Sequence, residues 1–230
     1  MGNLERIIII NDRSKKTIFV TMRKEDAILN IAKRIKSISD VGLLYTENPY
    51  DVDRYKELKE IAFDLIQQLT QEPLEEIKGA FREIVEYPTP NVDVRGVVLN
   101  EMNQILLVKE ALDGKWTIPG GWCEIGLSPK ENLVKEMKEE TGLDVNVERL
   151  LAVFDKRCHS HPPQSHYVYK LVFYCTIIGS PELKPEYEIT DSGYFDLDNL
   201  PELSKDRILE NQLGIVHKKI VARNNEVYFD

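Results

Sequence analysis

The sequence predicts an α/β (α+β) protein in two parts: a small, mostly helical N-terminal domain over residues 1–87 with a short leading hairpin, and a strand-rich α/β domain over residues 88–230. Three observations carry this division. Apolar residues recur at helical spacing between residues 24 and 84, and Pro88 and Pro90 then interrupt the pattern. From Val92, short β-type runs take over, broken by one strongly marked helix at 128–142. With 230 residues, 42% of them apolar and 30% charged, the chain has a globular composition and enough length for two modest domains.

Residues 6–10 and 17–21 are β-type runs around a polar stretch and read as a hairpin, an element that is marginal alone. From Lys24, a stripe of Ile28, Ile31, Ala32, Ile35 and Ile38 predicts a helix ending before Gly42. A turn at Asn48-Pro49 precedes a second helix, expected after Asp51, with Tyr55, Leu58, Ile61, Ala62, Leu65, Ile66 and Leu69 on one face. Leu74, Ile77, Phe81 and Ile84 mark a third. Such stripes ordinarily form core, and they also serve self-association.

In the second part, strands are expected at 92–99 and 105–108, with a turn at 100–103. Trp116-Thr117-Ile118-Pro119 leads into Gly120-Gly121. The following helix has explicit end signals: Ser128 at the N-cap, Pro129 at the first position, Glu131 closing a capping box, and Gly142 as the stop. Beyond it come a strand over 145–154, a long β-rich run at 167–178 expected to be central, an acidic loop entering a short strand, a last helix over 205–217, and a docked tail at 227–229.

The marked helix carries the chemistry. At about 100° per residue, Glu136, Glu139 and Glu140 fall within roughly a third of its circumference, opposite Leu133 and Met137. Like charges at this spacing destabilise a helix unless something offsets them. A hard divalent cation does so, and an all-oxygen donor set suits Mg²⁺ or Mn²⁺ better than zinc. The plain alternative is a solvated Glu/Lys face.

The glycines flanking this helix give it a family resemblance. From Gly121 through Leu143 the spacing resembles a Nudix box, G-x5-E-x7-R-E-U-x-E-E-x-G-U with U aliphatic, in both glycines and all three helix glutamates. Leu127 stands where the pattern has its first glutamate and Lys135 where it has arginine. In the family those two usually pair and brace the loop, so the departures bear on loop rigidity. The stretches Gly42 to Tyr45, Asn48 to Asp51 and Asp53 to Tyr55, with Val92 to Gly96 and His161-Pro162-Pro163 ahead of His166 to Lys170, are similar to a bacterial Nudix subgroup described as ADP-ribose or CDP-choline pyrophosphatases.

The resemblance implies a Nudix α/β/α sandwich with a mixed sheet, and an N-terminal module that supports a homodimer. It implies metal held by Glu136, Glu139, Glu140 and the Gly120 carbonyl. Glu140, Glu139 and Glu188 are the candidate catalytic carboxylates, with Glu186 in reserve for Glu188. Candidate substrate contacts are Arg95, Lys109, Glu110, Trp122, Arg157, His161 and His166. Arg95 has an equal structural alternative, pairing with Asp93 or Glu110, and the histidine loop has one too. The expected reaction hydrolyses the pyrophosphate of a nucleoside diphosphate linked to another group: ADP-ribose to AMP and ribose 5-phosphate, or CDP-choline to CMP and phosphocholine. The alternatives are a nucleoside triphosphate-cleansing enzyme and a non-catalytic ADP-ribose sensor.

A net charge of −9 disfavours duplex nucleic acid as a partner. No apolar run approaches the roughly 20 residues of a membrane span, and Ile7 to Ile10 is too short for a secretory segment. Cys123, Cys158 and Cys175, an odd set without close pairing, fit reduced thiols and a cytoplasmic protein.

Overall fold

The computed structural model describes residues 4–10, 17–71, 73–80, 87–179, 182–184 and 188–230. The hairpin turn, Phe81, Ile84 and Glu186 lie outside the described residues. The chain forms two compact units, Met1–Thr89 with Pro163–His166, and Pro90–Pro162 with Tyr167–Asp230.

In the first unit, β1 (Leu4–Ile10) pairs antiparallel with β2 (Thr17–Arg23), followed by α1 (Lys24–Tyr45), α2 (Pro49–Thr70) and α3 (Leu74–Ala80). α2 begins three residues earlier than expected, because the Asn48 side chain accepts the Tyr50 N–H and Pro49 fits the first turn. α1 runs through Gly42 instead of stopping before it. Gly42 serves packing there, since a Cβ at this position would stand 2.5 Å from the Tyr55 ring. Leu29, Ala32, Phe63, Ile66 and Ile77 form the core. Four residues of the expected stripes, Ile31, Ile38, Leu58 and Ile61, are exposed instead. On α1, Lys36 and Asp40 take buried positions, and Asp40 pairs with Lys36 at 2.7 Å and Lys59 at 2.9 Å.

The second unit contains, in chain order, β3 (Asn91–Val97), β4 (Ile105–Glu110), β5 (Trp116–Thr117), α4 (Pro129–Thr141), β6 (Asp144–Asp155), β7 (Val168–Ile178), β8 (Ile189–Phe195), α5 (Glu210–Val221) and β9 (Tyr228–Phe229). A mixed four-stranded sheet runs β3-β7-β6-β9, parallel at β3/β7 and β6/β9 and antiparallel at β6/β7. An antiparallel sheet runs β5-β4-β8. β7 is central, as its β-rich composition predicts.

Alternation along the strands sorts side chains to two faces. Val97, Ile105, Leu107, Phe154 and Val172 pack with Leu213 and Val216 of α5. Val94, Val98, Leu106, Val145 and Cys175 pack with Leu133 and Met137 of α4. The result is a helix on each side of a mixed sheet. α5 begins at Glu210 and not at Lys205, because the Ser204 carbonyl accepts Arg207 and Ile208 N–H groups in a separate turn, at 2.8 and 2.9 Å. Among the described residues, no helix is long and apolar enough to cross a membrane.

Candidate active site

The site begins at a glycine turn laid against β3. Gly96 N–H donates to the Pro119 carbonyl, Val94 N–H to that of Gly121, and Cys123 N–H to that of Val92, each at 2.9 Å. Gly120 is required twice over: its φ is 128°, and a Cβ would stand 2.1 Å from the Val94 oxygen.

α4 follows with the caps its sequence specifies. The Ser128–Glu131 capping box is formed, and Gly142 closes the helix at φ 74°. Leu133 and Met137, wholly buried, fix its rotation on the sheet and present the glutamates on another face. Glu140 Oε2 accepts the Gly120 N–H at 2.7 Å. The Glu136 carboxylate covers Gly121, where a Cβ would come within 2.9 Å of its Oε2. Two carboxylates therefore meet the glycine turn. Glu139 lies 4.0 Å from Lys135 Nζ. Among the described residues, no group of three or more His, Cys, Asp or Glu side chains is already gathered closely enough to hold a metal ion.

Burial pushes Glu140 up to about 7; Arg95 and the Gly120 N–H oppose the rise, and the charges of Glu136 and Glu110 add to it. Burial raises Glu136 as well. Carboxylates whose charge is this costly are suited to a cation, and the donor set is the all-oxygen kind that Mg²⁺ or Mn²⁺ takes.

Beneath them lies a buried ionic cluster. Arg95 Nε donates to Asp93 Oδ1 at 2.8 Å and its Nη1 to the Ile118 carbonyl at 3.1 Å. Asp93 also pairs with Lys170, which is completely buried and lowered by burial to about 8. The structure thus selects Asp93 as the partner of Arg95. Glu110 pairs instead with Arg207 at 2.7 Å, while Arg207 and Ser204 contact Asp113.

The remaining candidates separate. Trp122 is exposed directly after the turn, and Lys109 is half-buried on β4 opposite Trp116. Glu188 is exposed at the approach to β8; its carbonyl accepts the Ala111 N–H at 2.7 Å, and its charge is felt at Glu110. Arg157 is exposed and pairs with Asp155 at 3.0 Å. His161 is buried, with Nδ1 donating to the Lys205 carbonyl at 2.7 Å. Burial lowers it to about 4, so the ring is neutral and engaged in loop packing. His166 belongs to the other compact unit.

Sequence reasoning passed over Lys170, Asn132 and Arg207 as site residues. Lys170 had a visible signal, a charged residue at an inward position of an alternating strand. Arg207 had none, since its partner lies nearly a hundred residues away in the chain.

A mixed sheet between helices, with a carboxylate-bearing helix running under a Gly-Gly turn, is the scaffold of a Nudix hydrolase. Residues 89–217 match the NUDIX domain family, and residues 26–81 match the family described as UDP-X-like, N-terminal oligomerisation domain. The chain belongs to the Nudix family and is a Nudix pyrophosphohydrolase. It is 40% identical over 202 residues to YjhB of Bacillus subtilis (strain 168), whose name gives ADP-ribose pyrophosphatase as a provisional activity; the match covers 88% of this chain and 96% of that protein. An ADP-ribose pyrophosphatase of Methanocaldococcus jannaschii is 38% identical over 123 residues, 52% of this chain and 70% of its own. Among solved structures, a UDP-X diphosphatase is similar at 33% identity and TM-score 0.58, covering 90% of this chain and 100% of its own. An ADP-ribose pyrophosphatase from Streptococcus suis follows at 37% identity and TM-score 0.53, covering 62% of this chain and 100% of its own.

Proposed function

We propose that the protein is a Mg²⁺- or Mn²⁺-dependent, homodimeric hydrolase of nucleoside diphosphates linked to another group, with ADP-ribose as substrate and AMP and ribose 5-phosphate as products. The observation that carries this reading is the meeting of Glu136 and Glu140 at the Gly120–Gly121 turn, with Glu140 held at about 7 by burial and neighbouring charge. Glu136, Glu139, Glu140 and the Gly120 carbonyl would hold the ion. When bound, a divalent cation supplies charge neutralisation for the phosphates and acidifies the attacking water.

The protein's own groups do the rest. Arg95, fixed by Asp93, contributes a buried positive charge that both Glu136 and Glu140 feel. Trp122 offers an exposed indole for stacking on the base. Glu188, exposed beside the last strand of its sheet, is the candidate proton acceptor, with Glu140 as its rival. A UDP-linked substrate is the second reading, supported by the similarity to the UDP-X diphosphatase over 90% of this chain.

The test is a product assay on ADP-ribose, a UDP-sugar, CDP-choline and a nucleoside triphosphate, with each metal, for wild type, Glu140→Gln and Glu188→Gln. Metal-dependent release of AMP that collapses in Glu140→Gln is the expected result. Release of UMP alone would move the assignment to UDP-linked substrates. Turnover of none of the four, with ADP-ribose still bound, would leave a sensor and sink the proposal.

A further inference from the structure

The segment joining the glycine turn to α4 is held by a side chain outside the carboxylate set. Asn132, in the first turn of α4, is completely buried. Its Oδ1 accepts the Glu124 N–H at 2.8 Å. Its Nδ2 donates to the Leu127 and Ser128 carbonyls at 3.2 Å and to that of Glu124 at 3.4 Å. One amide therefore closes the loop at both ends. Lys135 reaches back over it to Glu124 in a more exposed ion pair, while Leu127 offers that lysine no charge.

This loop is the direct chain connection between two separately anchored parts of the site. The turn is bonded to β3 as far as Cys123, and α4 is seated on the sheet by Leu133 and Met137. Between them, Ile125 is fully exposed and Gly126, at φ 93°, would bring an added Cβ near nothing. Packing around the loop tip does not set its path; polar contacts do, and among them the Asn132 amide is the buried one. Glu136 lies one turn beyond Asn132, with its carboxylate over Gly121.

We propose that Asn132 is a positioning residue: by clamping residues 124–128 to α4, it keeps Glu136 and Glu140 in register with the glycine turn, working beside the Lys135–Glu124 ion pair where Leu127 supplies no charge. The part of this concerning turnover rests on the pyrophosphohydrolase reading above. Displacements of an ångström at reacting groups cost rates of about a hundredfold, so a clamp several residues from the chemistry has leverage.

The experiment compares wild type, Asn132→Ala, Asn132→Asp and Asn132→Ala with Leu127→Glu. It measures kcat, KM, the metal concentration at half-maximal rate, and amide hydrogen exchange across 124–128. In Asn132→Ala, exchange at the Glu124 amide accelerates, kcat falls by about tenfold or more, KM stays within about threefold, and the metal requirement rises. Asn132→Asp, which keeps the acceptor for Glu124 and loses the donor, falls between. Leu127→Glu, placed to give Lys135 a second carboxylate, recovers part of the lost kcat.

Faster exchange with kcat and metal requirement unchanged would overturn the proposal. So would a loss of kcat with loop protection intact. Should Asn132→Ala not fold, Asn132→Asp is judged by the same two criteria. If wild type hydrolyses no substrate, the functional reading fails, and the exchange data still decide the clamp: unchanged protection overturns it, and faster exchange supports it.

Discussion

Glu140 is the residue at which burial and charge are most opposed. Its carboxyl stands at about 7 against an ordinary 4.5. A group held above its unfolded value binds its proton more tightly in the folded chain. Its stabilisation is therefore complete below about pH 4.5 and is lost as the pH rises through about 7. Glu140→Gln keeps an oxygen for the Gly120 N–H and removes the charge. Without metal, the variant should match wild type near pH 4.5 and exceed it at pH 8 by about 1–2 kcal/mol, after discounting for partial exposure. Paired thermal melts in chelator at the two pH values test this; an equal difference at both would refute it. Asp93 behaves oppositely. Asp93→Asn leaves Arg95 and Lys170 buried without their shared counter-charge, and urea unfolding should show a loss of about 3–5 kcal/mol. The sequence left Arg95 a choice between Asp93 and Glu110, because strand alternation places all three residues inward and only the distances between strands separate them.

At the scale of elements, two glycines that share only a positive φ separate the turn from the loop. Gly120→Ala must drive a Cβ into the Val94 oxygen and should break the turn from β3, costing about 3 kcal/mol or more and reducing turnover by about a hundredfold. Gly126→Ala meets no neighbour and should cost only about 1–2 kcal/mol for its positive φ, with little change in kcat. Denaturation and steady-state assays of the pair test this contrast; equal losses of activity would remove the special role of Gly120. α4 was legible from sequence because its signals are local: cap, proline, capping box and stop lie within fifteen residues and each acts on its own backbone. α5 was misplaced at its start because the competing turn is fixed by Ser204, whose side chain bonds Asp113 far away in the chain. The loop clamp was unread for a related reason. Asn132 looks like any polar residue in a helical first turn until the loop folds back onto it.

At the scale of the molecule, the apolar residues that failed to enter the core acquire a role. Ile31, Ile38 and Tyr45 are exposed at 52%, 59% and 71% and recur every seven residues along α1. A seven-residue repeat drifts only about 20° per step on a helix, so the three form one stripe. Single exposed apolar residues need no explanation, but a stripe from Ile31 to the end of the helix does. On α2, Leu58 and Ile61 are exposed three residues apart. All five positions fall within residues 26–81, the segment matched by an oligomerisation domain. The expected occupant of the stripe is therefore a second copy of this chain. Ile31→Glu with Ile38→Glu replaces apolar contacts by charges without touching Leu29, Ala32, Phe63 or Ile66, so the first unit's own core stays intact. Sedimentation should find wild type dimeric and the double variant weakened in self-association by about a hundredfold or more, with helicity by circular dichroism unchanged. If the variant remains a dimer at the same concentrations, α1 is not the interface. If it dissociates and retains full turnover of ADP-ribose, each Nudix unit carries a complete site, and the N-terminal helices serve assembly alone.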